Sequence, residues 1–498
     1  MNKKTIFNFI SSLFCQLMIL AFGLIVPKVL ISNLGSEANG FLSTTNQIFA
    51  YISLVEAGLG TTLLNALYFP IHSKDFATVS ALLTSADKRF KKTAFLYLII
   101  SILFGFLYPL LLKVDNLSYL DMCLSIIVYG IGGAANLFFS SAIIQYLVAS
   151  GRGYVQQWVH LGVYVAASLL KIVAIVLTRN VIIVCLSYSS ICLIGGLIYS
   201  LYFKTRCKPL VLNSKQHLDK PLKEQKYFLI HQISGAIFGS TDLLIISIFC
   251  SLNESSIYSV YALIFSSIQT ITTAIFNSLQ YILGDAYSQN IERYKKVHDM
   301  FDSIYLAVMF ALLFVAYNLA NGFVGVYMNG SDINYVDKWF PLLFVSAKLL
   351  SSCRAVCNNT HNVAHHARQN LPYTILESII NLVASLVLTC FIGVYGVLLG
   401  TIIALLFRTN QTIIYTNKNL LNRSPFATYK YIIIYTIVFI FSSILFQCVL
   451  APSITSYLSF VIWGICLTLI ILVIYITICL LVNKDVRNAL VSKVFRFL

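Results

Sequence analysis

Apolar residues run along this chain in stretches long enough to cross a bilayer, separated by short clusters of charge, Gly, Pro and Asn. The pattern predicts helices over 6–31, 41–69, 93–112, 121–148, 154–178, 181–203, 227–250, 256–283, 300–328, 339–362, 371–393, 395–416, 430–450 and 458–482, about fourteen spans. Roughly 20 apolar residues are needed per spanning helix. Strands of a membrane barrel would instead alternate over segments of about ten residues, so the helical solution is selected. The outline also repeats. Lys3 and Lys4, an apolar stretch, the polar turn from Asn33 to Asn39 and a second apolar stretch to about Tyr68 open the chain. Lys215, Lys220, Lys223 and Lys226 lead into a stretch interrupted by His231 and Asp242. The turn from Ser251 to Ser256 follows, then a second stretch that closes on Gly284-Asp285. Two halves built alike are expected.

Composition sharpens this to a membrane protein. Of the 498 residues, 58% are hydrophobic and 10% charged, with a mean hydropathy of +0.83, whereas soluble domains carry about 25% charged residues. Backbone groups in hydrocarbon must be satisfied within the helix itself, so the chain reads as all-α and polytopic. The net charge of +16 raises nucleic acid as a partner. The basic residues instead collect between apolar runs, where a membrane surface accounts for them. With the N-terminus inside, segments on the cytoplasmic side hold 26 Lys and Arg, and only Lys28, Lys113, Arg179 and Lys338 lie near the other face. That bias places both termini in the cytoplasm. The stretch from Ile6 to Ile31 reads as a first spanning helix, too long for a signal-peptide core. The longest hydrophilic segment, 204–226, is a linker, and no soluble domain is expected. Twelve scattered cysteines read as small buried hydrophobes.

Chemistry is sought where charge sits inside the predicted spans. Lys171, Lys348, Arg354 and Arg408 are the cations, with Glu56, Asp242 and Glu377 as acids. An ionised group at mid-bilayer costs at least about 2.5–3.5 kcal/mol on insertion scales, so such residues face a bundle interior or a wet cavity. The plainer alternatives are snorkelling to headgroups for a Lys or Arg near a helix end and a helix-joining hydrogen bond for a protonated acid. Lys348 and Arg354, near the middle of one span, point to a cationic cavity for an anionic ligand. Glu56, in Leu54-Val-Glu-Ala-Gly-Leu-Gly60, and Asp242, in Gly239-Ser-Thr-Asp242, are candidates for carrying a proton or binding Na⁺. His361, His365 and His366 lack the acid or Cys that would complete a metal site and read as an interfacial polar cap. No phosphate loop, nucleotide site or catalytic triad is evident, so the chain is expected to need no cofactor and to draw on an ion gradient rather than on ATP.

Two stretches carry a resemblance. Asn33-Leu-Gly-Ser-Glu-Ala-Asn-Gly-Phe41, followed by Ser53-Leu-Val-Glu-Ala-Gly-Leu-Gly-Thr61, resembles the opening of bacterial Wzx-type polysaccharide-repeat flippases, members of the multidrug, oligosaccharidyl-lipid and polysaccharide (MOP) exporter superfamily. Ser240-Thr-Asp-Leu-Leu-Ile-Ile-Ser247, Tyr258 and Leu283-Gly-Asp285 are similar to the matching region of the second half. The resemblance implies two pseudo-symmetric six-helix lobes around a central cavity, here 1–203 and 227–416, joined by the cytoplasmic linker 204–226. Two peripheral helices and a cytoplasmic tail over 417–498 would follow. It also implies transfer of an undecaprenyl-pyrophosphate-linked oligosaccharide across the bacterial inner membrane for O-antigen, capsule or another lipopolysaccharide or envelope glycan. H⁺ or Na⁺ would be the coupling ion and a polysaccharide polymerase a partner. The substrate cavity would draw on Lys348, Arg354, Lys171 and Arg408, and the acids on Glu56, Asp242 and Glu377. A drug or organic-cation antiporter of the same fold is the nearest alternative, and a membrane-bound polysaccharide polymerase or ligase a remote one.

Overall fold

A computed structural model of the chain describes residues 3–56, 58–208, 210–212, 235, 239–364, 366–450, 452 and 454–489, with backbone alone at 3–13, 274, 275, 277–281 and 367. The basic run at 215–226, His231, His365 and the end of the tail lie outside the described residues, as do most of the expected linker and nearly all of the first half of the seventh span. The described residues form helices joined by turns and irregular loops, with no strand among them. The elements are α1 (Lys3–Ile52), α2 (Leu59–His72), α3 (Phe76–Leu107), α4 (Tyr119–Phe139), α5 (Ser141–Ala149), α6 (Gly153–Thr178), α7 (Val181–Arg206) and α8 (Asp242–Phe249). They continue with α9 (Leu252–Gln289), α10 (Ile291–Tyr327), α11 (Phe340–Cys353), α12 (Ala355–Val363), α13 (Ala367–Ile392), α14 (Val394–Tyr415), α15 (Phe426–Val449) and α16 (Tyr457–Val482). Among the described residues, eleven helical segments are long and apolar enough to cross a membrane.

Polar punctuation in the sequence becomes helix capping. Asn180 accepts from the Ile182 N–H at 2.8 Å, Asn290 from Glu292 at 2.8 Å, and Ser456 and Ser459 cap each other's backbone at the start of α16. Each satisfies donors that a helix start leaves open. Apolar residues meanwhile stay exposed along α13, α15 and α16, for example Phe391 at 81% and Phe441 at 70%. Such faces are stable only against lipid.

Several predicted spans are broken where the sequence pattern runs straight through. The turn expected at Asn33–Asn39 is, by contrast, a kink inside the continuous α1 at Gly35, whose φ of 86° suits a residue without a side chain. The expected helix 41–69 passes through a 3₁₀ turn, Ser53–Glu56, and a left-handed Gly58 before α2 begins. The expected helix 121–148 divides at Ser140, whose hydroxyl bonds the Asn136 carbonyl at 2.6 Å, and the expected helix 339–362 divides at Arg354. There the Ser352 hydroxyl takes the Lys348 carbonyl at 2.8 Å. Side chains that compete for the carbonyl ladder bend helices in this way.

The chain forms two compact units, 1–256 with Gly330–Ile333, and 257–329 with 334–498. In the first, the Asn33–Phe41 turn is a structural joint. Asp332 accepts from the Ser36 N–H at 2.9 Å, and Glu37 accepts from the N–H groups of Asp115 and Asn116 at 2.8 Å each. Asn39 donates to Ser256 at 2.8 Å. Gly40 lies so close to α9 that a Cβ there would stand 1.9 Å from the Leu252 carbonyl oxygen. In the second unit, Phe265, Phe340, Phe344 and Tyr261 stack into an aromatic core. The Tyr261 hydroxyl donates to Asn321 at 2.6 Å, and Asp337 caps α11 through the N–H groups of Trp339 and Phe340.

Candidate functional site

Three of the seven sequence candidates meet in the second unit. Glu377, on α13 and 5% exposed, pairs through one carboxylate oxygen with Arg354 Nη1 at 2.8 Å and through the other with Arg408 Nε at 3.2 Å. Arg408 lies on α14, only 3% exposed, and also donates to Asn370 Oδ1 at 2.7 Å, to Thr374 Oγ1 at 3.3 Å and to Gln411. The break at Arg354 puts that side chain at a joint between α11 and α12. Two guanidinium groups share one carboxylate, so the cluster carries one net positive charge. Lys348, one to two turns earlier on α11, donates to Gln269 Oε1 at 2.6 Å. Its partner there is a neutral amide.

The other three candidates belong to the first unit. Lys171, on α6, stands 4.7 Å from the ring centre of Tyr188 and 5.9 Å from that of Tyr129, both of which lie beneath its ammonium. Those rings stack on each other with centroids 4.3 Å apart. Cation–π contacts contribute about 0.5–2 kcal/mol, less than the roughly 2.5–3.5 kcal/mol that insertion scales assign to a Lys at a helix centre. Glu56 ends the 3₁₀ turn before Gly58 and is half-buried. Asp242 is the first residue of α8, and its neighbour Thr241 shares a short hydroxyl contact with Tyr51.

A further cluster in the second unit escaped the sequence reading. Arg423 Nη1 pairs with Asp299 Oδ1 at 2.8 Å and reaches His298 Nδ1 from Nη2 at 3.2 Å. One turn on, Asp302 is 1% exposed, and neither of its carboxylate oxygens has a hydrogen-bond partner. Spacing i, i+3 places Asp299 and Asp302 on one face of α10, the signal that was available. It was passed over because a helix predicted to begin at residue 300 treats both as boundary residues. The histidine reading changes too. His361 is fully buried and bonds Thr416 through Nε2 at 2.9 Å, and His366 Nδ1 meets the Tyr415 hydroxyl at 2.9 Å. His361 is therefore a core residue joining α12 to the turn after α14, not an interfacial cap.

Among the described residues no group of three His, Cys, Asp or Glu side chains is placed to hold a metal ion. What the described residues do hold is buried cationic charge within an all-helical, polytopic membrane fold. No family model matches the sequence, and no curated protein matches it. Solved structures share the fold. Lipid II flippase MurJ, in an inward closed conformation, superposes with a TM-score of 0.67 at 12% identity, covering 95% of this chain and 98% of that one. An inward-facing multidrug resistance MATE family transporter of the MOP superfamily gives 0.63 at 13% identity, over 85% and 99%. The MATE multidrug transporter DinF-BH gives 0.59 at 15% identity, over 85% and 97%. At these identities the likeness establishes the fold.

Proposed function

We propose that this chain is an ion-coupled flippase that turns an undecaprenyl-pyrophosphate-linked oligosaccharide from the cytoplasmic to the outer leaflet of a bacterial inner membrane. The observation that carries the reading is the Arg354–Glu377–Arg408 cluster in the second unit, two guanidinium groups against one carboxylate, with Lys348 on the same helix, α11, that ends at Arg354. Pyrophosphate offers oxygens in a geometry that guanidinium forks match, and an ammonium adds a mobile point charge. A drug or organic-cation antiporter would gain nothing from such cations, although the MATE fold is shared. We further propose fourteen spans in two six-helix lobes, 1–203 and 227–416, with two peripheral helices beyond them and both termini in the cytoplasm.

The proposed cycle makes and breaks no covalent bond. The headgroup enters with its pyrophosphate against Lys348 and Arg354 while the polyprenyl tail stays in lipid. Arg408 holds Glu377 in place, so substrate competes with one carboxylate for two guanidinium groups. A proton or Na⁺ gradient biases the two access states, with Glu56, Asp242 and Glu377 as the coupling candidates, and the substrate is released on the other side. The test is reconstitution in proteoliposomes, scoring exposure of a lipid-linked oligosaccharide on the far leaflet with and without an imposed H⁺ or Na⁺ gradient. Gradient-stimulated exposure is expected. Efflux of an organic cation with no movement of the lipid-linked sugar would assign the antiporter function instead.

A further inference from the structure

Lys171 borders a cavity of about 110 Å³ inside the first unit, walled by the two arms of α1 on either side of Gly35 and by α4, α6 and α7. Its polar wall is Asn39, Ser43, Asn46, Tyr129 and Lys171, and no Asp or Glu is among the described lining residues. The Tyr129 hydroxyl donates to Asn46 Oδ1 at 2.5 Å. That contact occupies the carbonyl end of the Asn46 amide and leaves its two N–H groups as donors. The Ser43 hydroxyl adds another. The stacked rings of Tyr129 and Tyr188 hold the ammonium from one side only. The cavity therefore brings together a cation and neutral donors, with no anion of its own to balance the charge.

We propose that this cavity binds a small monovalent inorganic anion of the chloride class, held by the Lys171 ammonium with Asn46 and Ser43 donating to it. Size selects the ion. Pockets for drug-sized ligands run to about 300–1,000 Å³, so this one has no room for a pyrophosphate-bearing headgroup but admits a single ion with its remaining waters. Charge selects the valence. A monovalent anion neutralises one lysine, whereas a divalent one would leave a buried net negative charge with nothing to offset it. The substrate cluster belongs to the other unit, where Arg354 and Arg408 already share Glu377, and the proposal stands whether or not the chain is a flippase.

The test uses the full-length protein in nanodiscs of phosphatidylcholine, with chloride as the probe. The excess ³⁵Cl linewidth is followed against chloride concentration at constant ionic strength, with gluconate as the replacement ion. The wild type is expected to show a saturable component that bromide displaces. Lys171→Met should weaken that component at least about tenfold by removing the charge that Lys171 alone supplies among the described lining residues. Asn46→Asp should abolish it while keeping Lys171, because it supplies an internal carboxylate. The same variant should unfold at one temperature in chloride and in gluconate, whereas the wild type unfolds higher in chloride. Asn46→Asp decides the matter even if Lys171→Met fails to fold. A wild type with no saturable component, or folded variants that keep it unchanged, would overturn the proposal.

Discussion

The two units bury positive charge in different ways. In the first, Lys171 lies over two tyrosine rings beside a cavity without a carboxylate. In the second, Arg354 and Arg408 divide a single Glu377, and the amides and hydroxyls of Asn370, Thr374 and Gln411 take up further guanidinium N–H groups. One arrangement has no carboxylate among its described lining residues. The other already has one in place. The difference follows from chemistry as much as from position, because an ammonium is a compact point charge while a planar guanidinium can serve two carboxylate oxygens and several neutral acceptors at once.

The contrast breaks most visibly at Glu377. Glu377→Gln leaves two buried guanidinium groups without their counter-charge, and thermal unfolding in nanodiscs should show a loss of about 3–5 kcal/mol together with loss of transport. Adding Arg408→Gln to that variant should recover part of the stability, a coupling that a double-mutant cycle measures. Lys171→Met, which strips a cation from a site with no carboxylate of its own, should cause no comparable loss. A Lys171→Met destabilisation as large as that of Glu377→Gln would erase the distinction between the units.

Gly40→Ala comes next. Its Cβ would meet the Leu252 carbonyl oxygen at 1.9 Å, backbone against side chain. Overpacking of that kind costs about 1–3 kcal/mol. The same unfolding assay reads it, and unchanged stability would show that the α1–α9 contact is loose. Lys348→Gln should change stability by only about 1 kcal/mol, the worth of a hydrogen bond, yet lower transport about tenfold through the lost charged contact to substrate.

The smallest effect belongs to Asp75, outside the spans at the start of α3. The Thr78 hydroxyl and backbone N–H, the latter at 3.0 Å, hold its carboxyl below the usual aspartate range. A depressed value in the folded state means that the cap stabilises fully above the unfolded-state pKa and fades as pH falls through the folded one. Asp75→Ala should accordingly lower the unfolding temperature slightly at neutral pH and leave no difference from wild type once Asp75 is protonated in both the folded and the unfolded state.

Much of this was legible in the sequence, and the reason is solvent. Lipid imposes run lengths and excludes charge, so the helices and the odd charged residues within them stood out at once. Breaks at Ser140 and Arg354 did not, because a joint surrounded by other helices leaves the apolar pattern intact. Arg354 and Arg408 were singled out for the same reason as Glu377, but their pairing depends on how α11, α13 and α14 pack, which no local spacing encodes. Lys348 and Arg354 were read as lying within one span, and the break between α11 and α12 puts a joint at Arg354. The Asn33–Phe41 motif drew notice for its order of polar residues. The structure shows what those residues do, with Glu37 and Ser36 tying loops and Gly40 admitting α9.

The measurement that bears most directly on the account is transport of a pyrophosphate-linked oligosaccharide by the Lys348→Gln/Arg354→Gln double variant in proteoliposomes, alongside wild type at matched protein density. Each lost charged contact is expected to cost about tenfold, so the double variant should flip the lipid roughly a hundredfold more slowly while its helices stay folded by circular dichroism. Equal rates in the two proteins would contradict the claim that Lys348 and Arg354 of the second unit read the pyrophosphate.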